Sequence, residues 1–241
     1  MFTTNHFIWL AIAITIIVGL LLLSKYKKLK YNFVLNLVFF VCVGCELIKI
    51  FSNMKDAYGG GKVLDPGDLP FHLCSVQLFF MFFLKVVVKN ESTKEKLLCF
   101  MAPIMLVGGL MALLIPTVGV KFTKPQVYEF FIYHSMIIFF SLYILTERLV
   151  KYDFKAFFRN LGFLGVMALC SLWVNSVLSK TNEKVNFMYL SRPPMENLPI
   201  LNLDNGWRVY VLTLGIIATT FLFIFHVIMI IIQKKSKKID S

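Results

Sequence analysis

The sequence has little charge for its length. Only 16% of its 241 residues are charged, whereas 58% are hydrophobic, and the mean hydropathy is +0.75. A soluble domain of this size would carry roughly a quarter charged residues. The few charges also lie in short clusters between long apolar runs, and a helix that spans a bilayer needs about 20 mainly apolar residues. This composition excludes a soluble domain and predicts an all-α, polytopic membrane protein.

Acidic residues are especially scarce, with 13 Asp and Glu against 25 Lys and Arg, which gives a net charge of +12. A basic balance of this kind can indicate binding to nucleic acid. Here, however, the basic clusters flank apolar runs, as KYKKLKY and the C-terminal KKSKK do. That is the arrangement that orients a membrane protein. We therefore expect anionic lipid headgroups, and no nucleic acid, as the counter-charge.

The sequence predicts neither a disulfide framework nor a cleavable leader. The cysteines all lie inside or at the edge of apolar runs, at Cys42, Cys45, Cys74, Cys99 and Cys170, and none is placed as a secreted framework requires. The first residues, MFTTNHF, carry no basic stretch, so we interpret the first apolar run as a retained helix. Cys42 and Cys45 have CxxC spacing but lie in mid-membrane without partner ligands. We expect no metal and no cofactor.

The apolar runs predict seven transmembrane helices in one domain, residues 1–241, at about 6–23, 31–52, 69–88, 97–116, 127–149, 157–178 and 207–232. With the N-terminus outside, 15 Lys and Arg fall in inside segments and eight in outside segments, while Lys49 and Lys85 lie within spans. The positive-inside rule then predicts an outside N-terminus and a cytoplasmic C-terminus. We expect a multi-pass protein of the plasma (cytoplasmic) membrane.

Ionisable residues within a bilayer are costly and are candidate functional residues by default. At about 1.5 Å per helical residue, Cys74 and His134 lie roughly 7–10 Å below the outer ends of the third and fifth spans. Glu46 lies about 9 Å below the outer end of the second span by the same rise, with Lys49 one turn closer to the surface. Taken singly, Cys74 could be a small buried hydrophobe, His134 a partner for a carbonyl, and the Glu46–Lys49 pair a neutralised couple. Their shared depth favours a site.

His72 lies two residues before Cys74. On a regular helix the two are about 200° apart, so they cannot face one pocket. Pro70 suits the first turn of such a helix, which leaves His72 near the headgroups. We expect His72 to support the site or to face lipid.

Three motifs resemble those of a known family: LPFHLC (Leu69–Cys74), YHS (Tyr133–Ser135) and NFMYLSRPP (Asn186–Pro194) in the long predicted outer loop. They are similar to motifs of the YwaF-like bacterial integral membrane proteins, which are related to the eukaryotic transmembrane protein 164 acyltransferases. The resemblance covers nearly the whole chain in length, span count and motif order. It implies that Cys74 carries an acyl group and that His134 is its partner.

The residue types fit that chemistry. A free thiol has a pKa of about 8.5 and needs a base or a cation beside it to become a nucleophile. The Cys74–His134 pair would attack an ester carbonyl, hold the acyl chain as a thioester and release it to an alcohol or water. The substrates would be acyl chains of membrane phospholipids or lipoproteins. Arg192, with Lys49 as a second candidate, would hold a lipid phosphate, and Asn186 or Tyr189 would stabilise the oxyanion.

Two other functions stay open. A seven-helix transporter or receptor would use Glu46, Lys49 and His134 as a polar relay; it would tolerate serine at position 74, whereas a thioester enzyme would not. A non-catalytic lipid-binding partner would tolerate the loss of both Cys74 and His134. The sequence leaves the acyl donor, the acceptor and the oligomeric state open.

Overall fold

Seven α-helices make up most of the structure. The computed structural model describes residues 2–56, 61–183, 185–195, 198 and 200–239. Within them, the helices are α1 (Thr4–Tyr26), α2 (Tyr31–Asn53), α3 (Val76–Val86), α4 (Glu91–Leu114), α5 (Pro125–Thr146), α6 (Phe154–Leu178) and α7 (Trp207–Ile239). Two 3₁₀ turns (Pro66–Asp68, Phe187–Tyr189) and a short antiparallel pair, β1 (Lys55–Asp56) with β2 (Lys62–Val63), complete the described elements. The prediction of an all-α polytopic membrane fold is confirmed.

The third helix is shorter than the sequence predicts. Among the described residues six helices are long and apolar enough to cross a bilayer, but α3 has only 11 residues. These cover about 16 Å of a hydrocarbon core about 30 Å thick. The predicted helical start at Leu69 is wrong, because Leu69–Ser75 is irregular and the helix begins at Val76. Proline disfavours helical geometry in the residue before it, and Leu69, which precedes Pro70, is extended with φ −60° and ψ 144°.

The segment between α2 and α4 nevertheless runs from one end of the bundle to the other. At one end, Asn53 at the C-terminus of α2 donates to Asp68 (2.9 Å), and Gln126 at the start of α5 donates to the carbonyl of Ser52 (3.3 Å). At the other end, the ammonium of Lys94 in the first turn of α4 lies 4.2 Å from the ring centre of Tyr31, which opens α2. The chain therefore crosses as α3 plus the irregular Leu69–Ser75 segment. Irregular backbone at membrane depth is tolerated where protein groups satisfy its hydrogen bonds.

The chain forms two compact units, residues 1–149 and 150–241. In the first unit, α5 is the central helix: it packs against α1, α2 and α4, and fourteen of its 22 residues are buried. A helix enclosed in this way holds its polar side chains in fixed positions, because they are surrounded by packed neighbours. The second unit holds α6, the NFMYLSRPP segment and α7. That the chain acts as a single domain stays a prediction.

Candidate functional site

Five of the residues singled out from the sequence lie together in the first unit. Lys49 forms an ion pair with Glu46, one turn earlier on α2. The Lys49 ammonium also lies within electrostatic reach of Cys74, His72 and His134. One cation, held by one carboxylate, therefore lies near enough to act electrostatically on the thiol and both imidazoles. We call these five residues the polar cluster.

His72 belongs to this cluster because the segment that carries it is not a helix. The 200° separation from Cys74 and the depth of Cys74 both assumed a regular helix from Leu69, and that assumption is wrong. His72 is half-buried and lies within electrostatic reach of Lys49 and His134. It lies near the ionisable groups of the unit, which favours a supporting position over a purely lipid-facing one.

The hydrogen bond of the His134 ring shows which nitrogen carries the proton when the ring is neutral. Its Nδ1 lies 2.7 Å from the carbonyl oxygen of Phe130. A carbonyl only accepts, so Nδ1 carries the proton of the neutral ring and Nε2 carries the lone pair. Among the described residues, no hydrogen bond joins the imidazole to the thiol of Cys74, although such catalytic bonds often form only once substrate is bound. His134 therefore has the tautomer that a general base requires.

Two other histidines differ from His134 in the number of ring nitrogens that make hydrogen bonds. His6 lies 3.3 Å from the backbone nitrogen of Phe2 through Nδ1 and 2.8 Å from the carbonyl of Leu113 through Nε2. In the second unit, His226 lies 2.8 Å from the carbonyl of Leu222 through Nδ1 and 3.2 Å from the amide of Asn160 through Nε2. Both rings use both nitrogens within the chain, so we interpret both as structural. In the described chain His134 bonds through Nδ1 alone.

Cys74 is a half-buried free thiol immediately before α3. Its backbone carbonyl accepts a hydrogen bond of 2.9 Å from the hydroxyl of Tyr133, on the central helix. The hydroxyl and the backbone N–H of Ser75 lie beside its sulfur. Tyr133 and Ser75 are contacts that the sequence does not reveal, although Tyr133 stands next to His134 in YHS.

Glu129 is a buried carboxylate that the motifs do not single out. It lies one turn before Tyr133 on α5, is 5% exposed, and is within electrostatic reach of Lys49 and Glu46. It faces a groove of about 320 Å³ lined by Cys45, Ile48, Phe122, Thr123, Pro125, Tyr128, Glu129 and Ile132. Its position as the third residue of the predicted fifth span could have marked it, because an acid within an apolar span is rare. Within the described residues no three His, Cys, Asp or Glu side chains could hold a metal ion.

Asn186 and Arg192 lie in the second unit, where their side chains bond to the loop that carries them. The Asn186 oxygen accepts from the backbone nitrogens of Ser191 (3.0 Å) and Arg192 (3.3 Å), and its amide nitrogen donates to the carbonyl of Arg192 (2.8 Å). The guanidinium of Arg192 donates to the carbonyl of Glu183 at 2.8 Å. The Asn186 side chain thus closes its own loop.

Side chains from α6 and α7 hold the backbone around Tyr189. Asn175 donates to the carbonyl of Phe187 (3.0 Å) and accepts from its N–H (2.8 Å), while the Tyr210 hydroxyl donates to the carbonyl of Tyr189. Met188 and Tyr189 have φ of 55° and 54°. This left-handed geometry is unfavourable for residues with a Cβ. The bonds from both helices stabilise a turn that would otherwise relax.

The comparison with protein families covers nearly all of this architecture. The model of the TMEM164 family matches residues 1–230, which includes the polar cluster and the whole NFMYLSRPP segment. No curated protein and no solved structure matches the chain. The chain therefore belongs to the TMEM164 family.

Proposed function

We propose that this integral membrane protein is a lipid acyltransferase or acyl hydrolase that carries the acyl group as a thioester on Cys74. The observation that supports it most is the polar cluster itself, in which a free thiol and an imidazole with an unbonded Nε2 lie within reach of one ammonium group. Polar side chains that only stabilise a membrane core are bonded to their neighbours, as His6 is. The substrates are acyl chains of membrane phospholipids or lipoproteins.

The residues divide the reaction as follows. Nε2 of His134 takes the proton of the Cys74 thiol, and the sulfur attacks the carbonyl carbon of the ester. The carbon–oxygen bond to the leaving alcohol breaks, and that oxygen takes the proton from His134. An acceptor alcohol or water then attacks the thioester carbon and gives its proton to Nε2 of His134. The carbon–sulfur bond breaks, and the sulfur takes that proton from His134, which restores the thiol. Lys49, held by Glu46, stabilises the thiolate, and His72 supports the same charge.

The roles that the sequence predicts for three residues of the second unit are separate proposals. Arg192 grips a lipid phosphate, for which its planar fork of donors is suited and lysine is a poor replacement. The oxyanion role that the sequence predicts for Asn186 or Tyr189 stays a prediction, and the Asn186 side chain is already bonded to its own loop. The narrower likeness to the YwaF-like bacterial proteins also stays a prediction.

We further propose that the protein lies in the plasma membrane with its N-terminus outside, so that the polar cluster meets the outer leaflet. The excess of Lys and Arg in the predicted inside segments supports this orientation. In a Cys170→Ser background, a membrane-impermeant thiol reagent should label Asp204→Cys in intact cells and should leave Ser92→Cys unlabelled; both native side chains are exposed. Labelling of Ser92→Cys alone would place the cluster toward the inner leaflet.

A polar relay is the second candidate function. It is favoured by Glu129, which adds a buried carboxylate beside Lys49 and Glu46 and faces an open groove. Strings of buried ionisable groups are typical of transporters that move protons or ions. A relay of this kind, however, does not require the Cys74 thiol.

Replacing Cys74 with serine separates the two functions. A serine hydroxyl is far harder to ionise than a thiol, so Cys74→Ser should lose acyl transfer in reconstituted phospholipid vesicles. Cys170→Ser is the matched control, since Cys170 is an exposed free thiol on α6, and it should keep the wild-type rate. Full acyl transfer by Cys74→Ser would sink the thiol mechanism, and transport that survives this change would favour the relay.

A further inference from the structure

We propose that Tyr133 is a positioning residue that holds the turn before α3 so that its backbone N–H groups form an oxyanion hole beside Cys74. The inference rests on the proposed function, because an oxyanion forms only if the Cys74 sulfur attacks an ester carbonyl. It names donors for that charge within the polar cluster's own unit.

The carbonyl groups of this turn are tied by side chains from outside it. The Tyr133 hydroxyl donates to the carbonyl of Cys74 at 2.9 Å, and the Gln77 amide donates to the carbonyl of Leu73 at 3.0 Å. A trans peptide unit is planar, with its C=O and its N–H pointing in opposite directions. Tyr133 therefore fixes the direction of the Ser75 N–H, and Gln77 fixes that of the Cys74 N–H.

Neither of the two N–H groups fixed in this way has an oxygen acceptor in the described chain. The next N–H groups along the chain, of Val76 and Gln77, donate to the carbonyls of His72 (2.9 Å) and Cys74 (3.2 Å). Within the described chain, the N–H groups of Cys74 and Ser75 donate to no oxygen, and that of Ser75 lies beside the sulfur of Cys74. The N–H of the residue after the nucleophile is the donor used in the oxyanion hole of α/β-hydrolases.

The Gln77 side chain gives an independent sign that the turn is held for a purpose. Gln77 is fully buried, and its Oε1 has no hydrogen-bond partner. A buried amide oxygen without a partner is destabilising, so the Gln77 amide is present at a cost to stability. The visible role of this amide is its bond to the carbonyl of Leu73, at the same turn that Tyr133 holds.

The proposed role of Tyr133 can be tested separately from the reactivity of the Cys74 thiol, because two reactions of that thiol differ in whether an oxyanion forms. When the sulfur bonds to the ester carbon, the π electrons of the carbonyl move onto its oxygen, and the two N–H groups donate to that charge. The electrons then return, the bond to the leaving alcohol breaks, and the leaving oxygen takes the proton from His134. Alkylation of the same thiol by iodoacetamide displaces iodide and forms no oxyanion. Acylation therefore depends on the hole, whereas alkylation does not.

The test compares two tyrosines on the central helix. The Tyr143 hydroxyl donates to the carbonyl of Leu29 at 2.9 Å, the same type of bond at the same distance, near the end of the unit that holds Tyr31. The full-length protein is reconstituted in phospholipid vesicles, and Cys74 is acylated with a fatty-acid p-nitrophenyl ester or alkylated with iodoacetamide. We expect Tyr133→Phe to slow acylation about 10- to 100-fold, below the loss for deleting a donor outright, with alkylation unchanged within about threefold. Tyr143→Phe should change neither rate.

Each other outcome overturns the inference. An equal loss of both rates in Tyr133→Phe would mean that Tyr133 acts on the thiol or on the fold, and no loss at all would mean that the bond is irrelevant. Gln77→Met, which keeps the length and removes the amide, should show the same selective loss if Tyr133→Phe is poorly folded. If wild-type Cys74 is alkylated but never acylated, the proposed function itself fails, and the oxyanion hole fails with it.

Discussion

Two of the irregular segments that the structure describes, Leu69–Ser75 in the first unit and Asn186–Arg192 in the second, are held in opposite ways. In the first, side chains from elsewhere hold the backbone: Tyr133 and Gln77 bond to its carbonyl groups. In the second, α6 and α7 also contribute bonds, but the segment's own Asn186 closes the loop with three hydrogen bonds.

The difference shows where side chains are available for chemistry. Cys74 is a free thiol, its segment is held by Tyr133 and Gln77, and both Cys74 and His72 lie near Lys49. A side chain whose polar atoms are bonded to its own loop, such as that of Asn186, is positioned to stabilise the loop. We therefore expect side chains of the first segment to take part in the reaction and those of the second to anchor their own loop.

The largest effect is expected from a change in the first unit, where the reaction is proposed to take place. His134→Gln removes the proposed base, so acyl transfer should fall about 100- to 10,000-fold, which is the usual contribution of a positioned general base. His226→Gln is the matched control, because His226 also bonds through Nδ1 to the carbonyl four residues earlier but lies in the second unit. Steady-state rates per folded molecule in vesicles give the comparison. Equal losses in both variants would remove His134 from the reaction.

A smaller effect, on stability, is expected from a change in the second segment, Asn186–Arg192. Asn186→Ala removes three hydrogen bonds, and at a net contribution of about 0.5–1.5 kcal/mol each, the free energy of unfolding should fall by about 1.5–4.5 kcal/mol. Asn202→Ala is the control: its oxygen accepts a single bond of 3.2 Å from the nitrogen of Asp204 in an exposed turn, and its loss should cost less than about 1 kcal/mol. Denaturant unfolding in detergent micelles measures both.

The rate of the folded Asn186→Ala variant decides between its two interpretations. An anchor leaves the acyl-transfer rate per folded molecule unchanged. A rate that falls while stability holds would instead make Asn186 the oxyanion donor that the sequence predicts, and the comparison between the two segments would break down.

The sequence predicted the helices well because a membrane span is a local property: about 20 apolar residues identify it without knowledge of its neighbours. The predicted start of the third helix was wrong for a related reason. Its residues are as apolar as the others, but Pro70 acts on the geometry of Leu69, and the helix starts only at Val76. Hydrophobicity reports that a segment lies in the membrane, and it does not report that the segment is helical throughout.

The site was predictable in part for the same reason. Glu46, Lys49, Cys74 and His134 stand out as reactive or charged groups in apolar runs, and Glu129 carries the same signal. Tyr133 could not be found in this way, because its bond to the Cys74 carbonyl joins residues 59 positions apart. Neither could the tautomer of His134, which depends on a hydrogen bond that only the folded helix supplies.

The central claim, that Cys74 carries an acyl group, is tested most directly by the intact mass of the purified protein. After incubation in phospholipid vesicles, the wild-type protein should gain the mass of a fatty acyl chain, located on Cys74 and removed by neutral hydroxylamine, as thioesters are. Cys74→Ala should gain none, and Cys170→Ser should behave as the wild type does. A wild-type protein that never gains an acyl mass, or an adduct that persists in Cys74→Ala, would contradict the account.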